Sequence, residues 1–357
     1  MSRDKFHSRI SSASTGSAVK VIAMQASPAE FNFIIGEAEQ GLRLDRYLAA
    51  QFPDLSRTRV QALVDEGRVL VENTPRKQSY RVVAGDRVHV EIPPVAPSQV
   101  VSEAIPLEFL YEDDDVAVVN KPAGMIVHPG ASVTTGTLTA ALLHRFGGPW
   151  HLSDIGGPLR PGIVHRLDKG TSGALLIARN NTAHLRLAEE FRDRQIEKTY
   201  LALLHGPVKQ DAGRIELPVA RDLRNRKRMS ARRREGRPAR TDWKVQLRLP
   251  GFTLVTAGLH TGRTHQLRVH FSTLGNPVVG DALYGAPRQP RAGSEILAPL
   301  GRNFLHAARI RFLHPRRGEP IEVRAPLPAE LMGYLQEIGR ATGAETGLID
   351  AALCEFL

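Results

Sequence analysis

Apolar positions recur every four residues at Leu44, Leu48 and Phe52 and stop at Pro53, which outlines a short amphipathic helix. Ser56 is placed to cap a second helix whose inner face carries Val60, Leu63 and Val64, with Gly67 as its left-handed stop. The other face of that helix shows Arg57 and Arg59. Val69 and Val71, then Val88, Val90 and Ile92, alternate with polar residues as half-buried strands do, and Gly85-Asp86 marks the turn before the last run. The pattern predicts a small helix–helix–sheet module over residues 36–95. Ahead of it the Ser-, Ala- and charge-rich start lacks an apolar period, and residues 1–35 read as a flexible leader.

Pro93, Pro94 and Pro97 lie where neither period continues, and their fixed φ and missing N–H donors favour an extended linker over residues 96–102. Beyond it the runs Val116–Val119, Ala174–Ala178, Tyr200–Leu204, Trp243–Leu247 and Phe252–Leu259 read as strands. Two helical stripes stand among them, one through Leu185, Ala188 and Phe191, the other through Leu267, Phe271 and Leu274 with Gly275 as its stop. The fold class is α+β: a mainly antiparallel, mixed sheet with flanking helices over residues 103–335, a small α/β module before it, and a tail at 336–357.

Composition narrows the partner. The 357 residues carry 48 Lys and Arg against 37 Asp and Glu, a net +11, which favours a polyanion through phosphate neutralisation and counterion release. A single cysteine, Cys354, excludes an intrachain disulfide framework and a Cys-based zinc site, and fits a reducing cytoplasm. No apolar run approaches the roughly 20 residues that span a bilayer, so no membrane partner is expected.

The polar residues cluster in three places. Pro161–Gly173 sets His165, Arg166, Asp168 and Lys169 between two short apolar runs, a strand–turn–strand arrangement that can hold Asp168 rigidly as a nucleophile or base, or simply as a salt-bridged turn. Thr261–His270 opens a helix carrying Arg263, His265 and Arg268; beside the apolar stripe, Arg268 is placed to pair with a carboxylate and keep it ionised. Between Arg221 and Arg240 ten of twenty residues are Lys or Arg, Arg226, Lys227 and Arg228 among them, countered only by Asp222 and Glu235, which suits contact with phosphates.

Other chemistries leave no motif: the chain has no GxxxxGK[ST] loop, HExxH or GxSxG. His260, His265 and His270 recur every five residues and so point to different helical faces, and Asp113, Asp114 and Asp115 read as turn formers; no metal is assigned.

Four ordered segments together resemble the pseudouridine synthases of the RluA/RluD type. They are Asn120–Pro129, His165–Gly173, Lys198–Gly206 and Thr261–Arg268. Arg43–Leu48, Ser56–Arg59 and Gly85–Val88 are similar to an S4 RNA-binding module. The resemblance implies that Asp168 is the essential carboxylate, Tyr200 the ring beside the target base, Arg268 the partner of Asp168, and Arg166 a support for the extruded nucleotide. RNA contact is expected at Arg166, His165, Lys121 and Arg263, on the basic segment at Arg226, Lys227 and Arg228, and on the front module at Arg57 and Arg59. The implied reaction moves uracil from its N1 to its C5 linkage on the same ribose. It exchanges no electrons, so no cofactor is expected, and a flipped-out uridine of structured RNA is the expected substrate. Tyr200 is the expected general base for the C5 proton. Large-subunit ribosomal RNA or a pre-ribosomal particle is the expected partner of a monomer. A noncatalytic ribosome-assembly factor, with Asp168 structural, is the competing reading.

Overall fold

The computed structural model describes residues 29–53, 55, 57–93, 100–130, 133–225, 227–231, 235–345 and 347–356. They fall into two compact units divided near residue 95.

In the first unit β1 (Ala29–Ile34), α1 (Leu44–Gln51), α2 (Arg57–Asp65), β2 (Val69–Val71), β3 (Thr74–Pro75) and β4 (Arg87–Ile92) follow in order. The strands make one sheet in the order β1-β4-β2-β3. Leu44, Leu48, Val60, Leu63, Val69, Val71, Val88 and Val90 are all buried, so the helical stripes and the alternating strand face meet in one core. Asp45, also buried, is held by Arg43 Nε at 3.0 Å and Gln61 Nε2 at 3.0 Å. Within the span expected as a flexible leader, residues from Ala29 onward form β1, which pairs antiparallel with β4, Ala29 opposite Ile92. Phe31 and Phe33 supply its period of two, and Phe33 meets Tyr47 edge-on at 6.1 Å. The proposed cap Ser56 lies outside the described residues.

The second unit contains β5 (Glu108–Glu112), β6 (Val116–Lys121), α3 (Leu138–Arg145), β7 (Ser172–Ala178), α4 (Asn181–Asp193), β8 (Glu197–His205) and β9 (Ala212–Glu216). There follow β10 (Ala220–Arg221), β11 (Met229–Ser230), β12 (Arg240–Leu249), β13 (Phe252–Leu259), α5 (Gln266–Thr273), β14 (Arg291–Ala292) and β15 (Glu295–Ile296). The chain closes with β16 (Leu305–Leu313), β17 (Pro320–Arg324), α6 (Ala329–Ala341) and α7 (Leu348–Leu353). Nine strands form one sheet, β5-β6-β7-β16-β8-β13-β12-β9, with β17 beside β16. Among the described residues its only parallel pairing is β7 with β16; the fold is α+β with a mixed, mainly antiparallel sheet.

That parallel pairing fixes the loop before β7. Gly173 has φ +111° and sits opposite Ala307, where an added Cβ would lie 2.3 Å from the Ala307 carbonyl oxygen. Only glycine fits a left-handed backbone this close to a neighbouring strand. In the span read as a tail, α6 runs across residue 336, and Leu335, Ile338, Leu353 and Phe356 belong to the main core. Its apolar residues were too few to outline α7 from the sequence, and the core that receives them is distant in the chain. Among the described residues no helix is long and apolar enough to cross a membrane.

Candidate active site

Asp168 stands on the loop entering β7. Its carbonyl accepts the Thr171 N–H at 3.0 Å, closing a turn, and the next carbonyl, Lys169, accepts the Gly124 N–H at 2.7 Å. Ser172 continues the brace: its hydroxyl accepts from Arg302 Nη2 at 2.9 Å and donates to His306 Nδ1 at 2.9 Å. The far ring nitrogen of His306 donates to the Ala325 carbonyl at 3.1 Å. Burial holds His306 near a pKa of about 4, so the ring is neutral and the network closes without a buried charge on it.

Arg268 comes from the first turns of α5. Its Nη1 donates to Asp168 Oδ2 at 3.3 Å, while Nε and Nη2 grip Asp281 at 2.6 and 2.8 Å. The shorter, two-pronged contact is therefore with Asp281, and Asp168 takes the remaining prong. Burial opposes the charge on Arg268, but its hydrogen bonds to Asp281 and the two carboxylates overcome it and raise its pKa, so the guanidinium stays charged. Asp281 is itself buried and follows Gly280, whose φ of +77° leaves no room for a Cβ beside the Arg302 carbonyl. His265, left-handed at φ +56°, caps α5 and brings Nε2 to 4.0 Å from Asp168 Oδ2. Gln266 locks this loop by accepting from Thr261 and the Arg263 N–H and donating to the Arg240 carbonyl and Thr241.

Asp168, Arg166, Lys198, Tyr200, His265 and Arg268 all line one cavity of about 300 Å³. That is the lower end of the ~300–1,000 Å³ typical of small-ligand sites, a size for one extruded nucleoside rather than a duplex. Tyr200 projects from the middle of the sheet and is buried; burial, and behind it the Asp168 carboxylate, push its hydroxyl well above the usual tyrosine range. Burial thus favours the neutral phenol at Tyr200, the residue expected as general base for the C5 proton. Lys198, stacked over Phe191 at 5.1 Å, is lowered by burial to about 8.

The residues expected on RNA separate into groups. Arg166 is exposed at the cavity and Arg263 half-buried, its Nε on the Pro238 carbonyl at 3.3 Å. His165 turns inward: Nε2 accepts the Leu176 N–H at 2.9 Å, and burial, with Lys198 nearby, drives it to about 3. It is a neutral brace of the loop that carries Asp168 and brings no charge to a phosphate. Lys121 is fully buried, its ammonium on the Pro122 carbonyl and on the Met125 carbonyl at 3.0 Å, so it staples the loop that carries Gly124 and cannot reach RNA from there. Lys227 is exposed and Arg228 half-buried; Arg226 lies outside the described residues. In the first unit Arg57 begins α2, and Arg59 pairs with Glu66 at 3.6 Å.

His260, His265 and His270 face different surroundings: Asp242, the cavity, and a buried site between Thr241 and the Leu217 carbonyl. Asp113 accepts the Asp115 and Val116 N–H groups, each at 2.9 Å, as a turn former should. Asp113, Asp115 and His314 could together reach a metal ion, yet Tyr111, Arg316 and Arg317 already occupy the carboxylates. Sequence reasoning missed Asp281, Lys198 and the role of His265. Asp281 had no signal beyond its place after Gly280, since its partner lies 13 residues away in a different local pattern.

The sequence and the fold have counterparts in other proteins. Residues 115–273 match the family model of RNA pseudouridylate synthases, and residues 42–88 match the S4 domain. A protein of Aquifex aeolicus described as an uncharacterized RNA pseudouridine synthase is 46% identical over 288 residues, covering 80% of this chain and 89% of its own. The ribosomal large subunit pseudouridine synthase D of Neisseria meningitidis serogroup A is 38% identical over 86% of this chain and 82% of its own. The solved structure of human RNA pseudouridylate synthase domain containing 4 superposes with a TM-score of 0.50 at 25% identity, covering 64% of this chain and 92% of that one. With its S4 domain and the pocket around Asp168, the chain belongs to the RNA pseudouridine synthase family.

Proposed function

We propose that this enzyme isomerises uridines of large-subunit ribosomal RNA, with Asp168 as the reacting carboxylate. The observation that carries the site assignment is the line Asp281–Arg268–Asp168, whose last two members line a nucleoside-sized cavity together with Tyr200. The RNA class is supported by the likeness to a ribosomal large subunit synthase. Arg166, exposed at the cavity, is placed to hold the strand from which the uridine leaves.

In the reaction the N1–C1′ bond breaks, the uracil turns, and C5 bonds to C1′; the proton lost from C5 is balanced by one gained at N1. Asp168 serves either by attacking C1′ or by steadying charge on the sugar. The rejoined C5 is tetrahedral, and losing its proton restores the aromatic ring, so only a weak acceptor is needed. Tyr200, as a neutral phenol, suits a relay for that proton. Arg268 holds the carboxylate in place, and a nucleoside filling the cavity displaces water that would otherwise leave an abasic site.

The test uses C5-tritiated large-subunit RNA, small-subunit RNA and tRNA from a strain lacking the gene. Wild-type enzyme releases tritium from the large-subunit RNA without generating abasic sites, and Asp168→Asn releases none. Release confined to tRNA would overturn the RNA class; release by Asp168→Asn would overturn the residue.

A further inference from the structure

Tyr284 ends the short turn that begins with Ala282, directly after Asp281, and is 2% exposed. Its hydroxyl accepts the Met229 N–H at 2.8 Å and meets His265 Nδ1 at 2.9 Å. With one lone pair taken by Met229, the hydroxyl proton is free to go to Nδ1, which leaves Nε2–H on the side of Asp168. The ring lies between two guanidinium groups, Arg228 at 5.3 Å and Arg268 at 5.0 Å, and meets His265 edge-on at 5.7 Å. Among the described residues, Arg228 Nε is buried without a hydrogen-bond partner, and the ring contact is one that this guanidinium does make. Met229 and Arg228 belong to the β10–β11 hairpin, which presents Arg221, Arg224 and Lys227 to solvent. One side chain therefore touches the base of the basic hairpin and both groups that flank Asp168.

We propose that Tyr284 is a positioning residue that couples the seating of RNA phosphates on the β10–β11 hairpin to the orientation of His265 and Arg268 around Asp168. RNA that presses the hairpin down keeps the Met229 N–H on the hydroxyl, which fixes the tautomer of His265 and the plane of the ring against Arg268. A fragment too short to reach the hairpin lacks that constraint. The inference rests on Asp168 as the reacting carboxylate.

Full-length wild type, Tyr284→Phe, His265→Gln, the double variant and Asp168→Asn are compared in single-turnover assays at saturating enzyme, on a long RNA that reaches the hairpin and on a short hairpin-loop fragment. Tyr284→Phe keeps the ring and both guanidinium contacts. Wild type converts the long RNA about tenfold faster than the fragment; Tyr284→Phe loses that advantage while its Kd for long RNA stays within about twofold; and the double variant is no slower than His265→Gln by more than about twofold. Full advantage retained by Tyr284→Phe, no advantage in wild type, multiplicative losses in the double variant, or a change confined to Kd overturns the coupling. Activity in Asp168→Asn would instead sink the site assignment beneath it.

Discussion

At the level of single side chains, the site is an ion-pair line rather than a pair. Asp281 takes two prongs of Arg268 and leaves the third for Asp168, so the guanidinium is aimed before substrate arrives. A charged hydrogen bond of this kind is worth about 1.5–3 kcal/mol, so Asp281→Asn should slow single-turnover conversion roughly 10–100-fold with RNA affinity unchanged. Filter binding beside the rate measurement checks it, and a loss seen only in affinity would refute it. That Asp168, Tyr200 and Arg268 would lie around one cavity was legible because their motifs stand in recognisable order. Lys121 and His165, expected on RNA, each hydrogen-bond nearby backbone in the structure, Lys121 to the Met125 carbonyl and His165 to the Leu176 N–H. Sequence carries no sign of which way such a side chain points.

Among the elements, the strands were the most legible, since β6, β7 and β8 carry continuous apolar runs, β12 alternates Trp243, Val245 and Leu247 with polar residues, and β13 is largely apolar. Strand β1 and helix α7 were not, because their apolar sets are short and meaningful only against partners far along the chain. The β7–β16 contact makes a sharp prediction: Gly173→Ala sets a methyl into the Ala307 backbone and should destabilise the protein by about 2–4 kcal/mol, read as a lower denaturant midpoint. The junction of β5 and β6 offers a pH test. Burial opposes the charge on Asp113, but hydrogen bonds from Tyr111, the Val116 and Asp115 N–H groups and His314 prevail and lower it to about 2. A depressed carboxylate stabilises above its unfolded value of 3.8 and loses that contribution as pH falls through about 2. Asp113→Asn should therefore lower the melting temperature at pH 7, with the gap closing between about pH 4 and 2; a gap constant over that range would contradict the assignment.

For the molecule as a whole, a net charge of +11 and an S4 domain make RNA affinity electrostatic in large part. Lys227→Ala should weaken binding across sequences and reduce the slope of log Kd against log salt by about one. Deleting residues 29–93, a span that includes β1 because β1 closes the first sheet, should weaken binding and blur site choice while chemistry on short fragments persists. Unaltered affinity and selectivity would refute it. The two-unit plan was legible from the proline-rich stretch near residue 95, the packed chain end was not. The proposed chemistry rests on one carboxyl group, and its most direct measurement is pseudouridine formed per enzyme in a single turnover by Asp168→Asn at saturating enzyme. The account predicts bound RNA and no pseudouridine over many wild-type half-lives; pseudouridine appearing near the wild-type rate would contradict it.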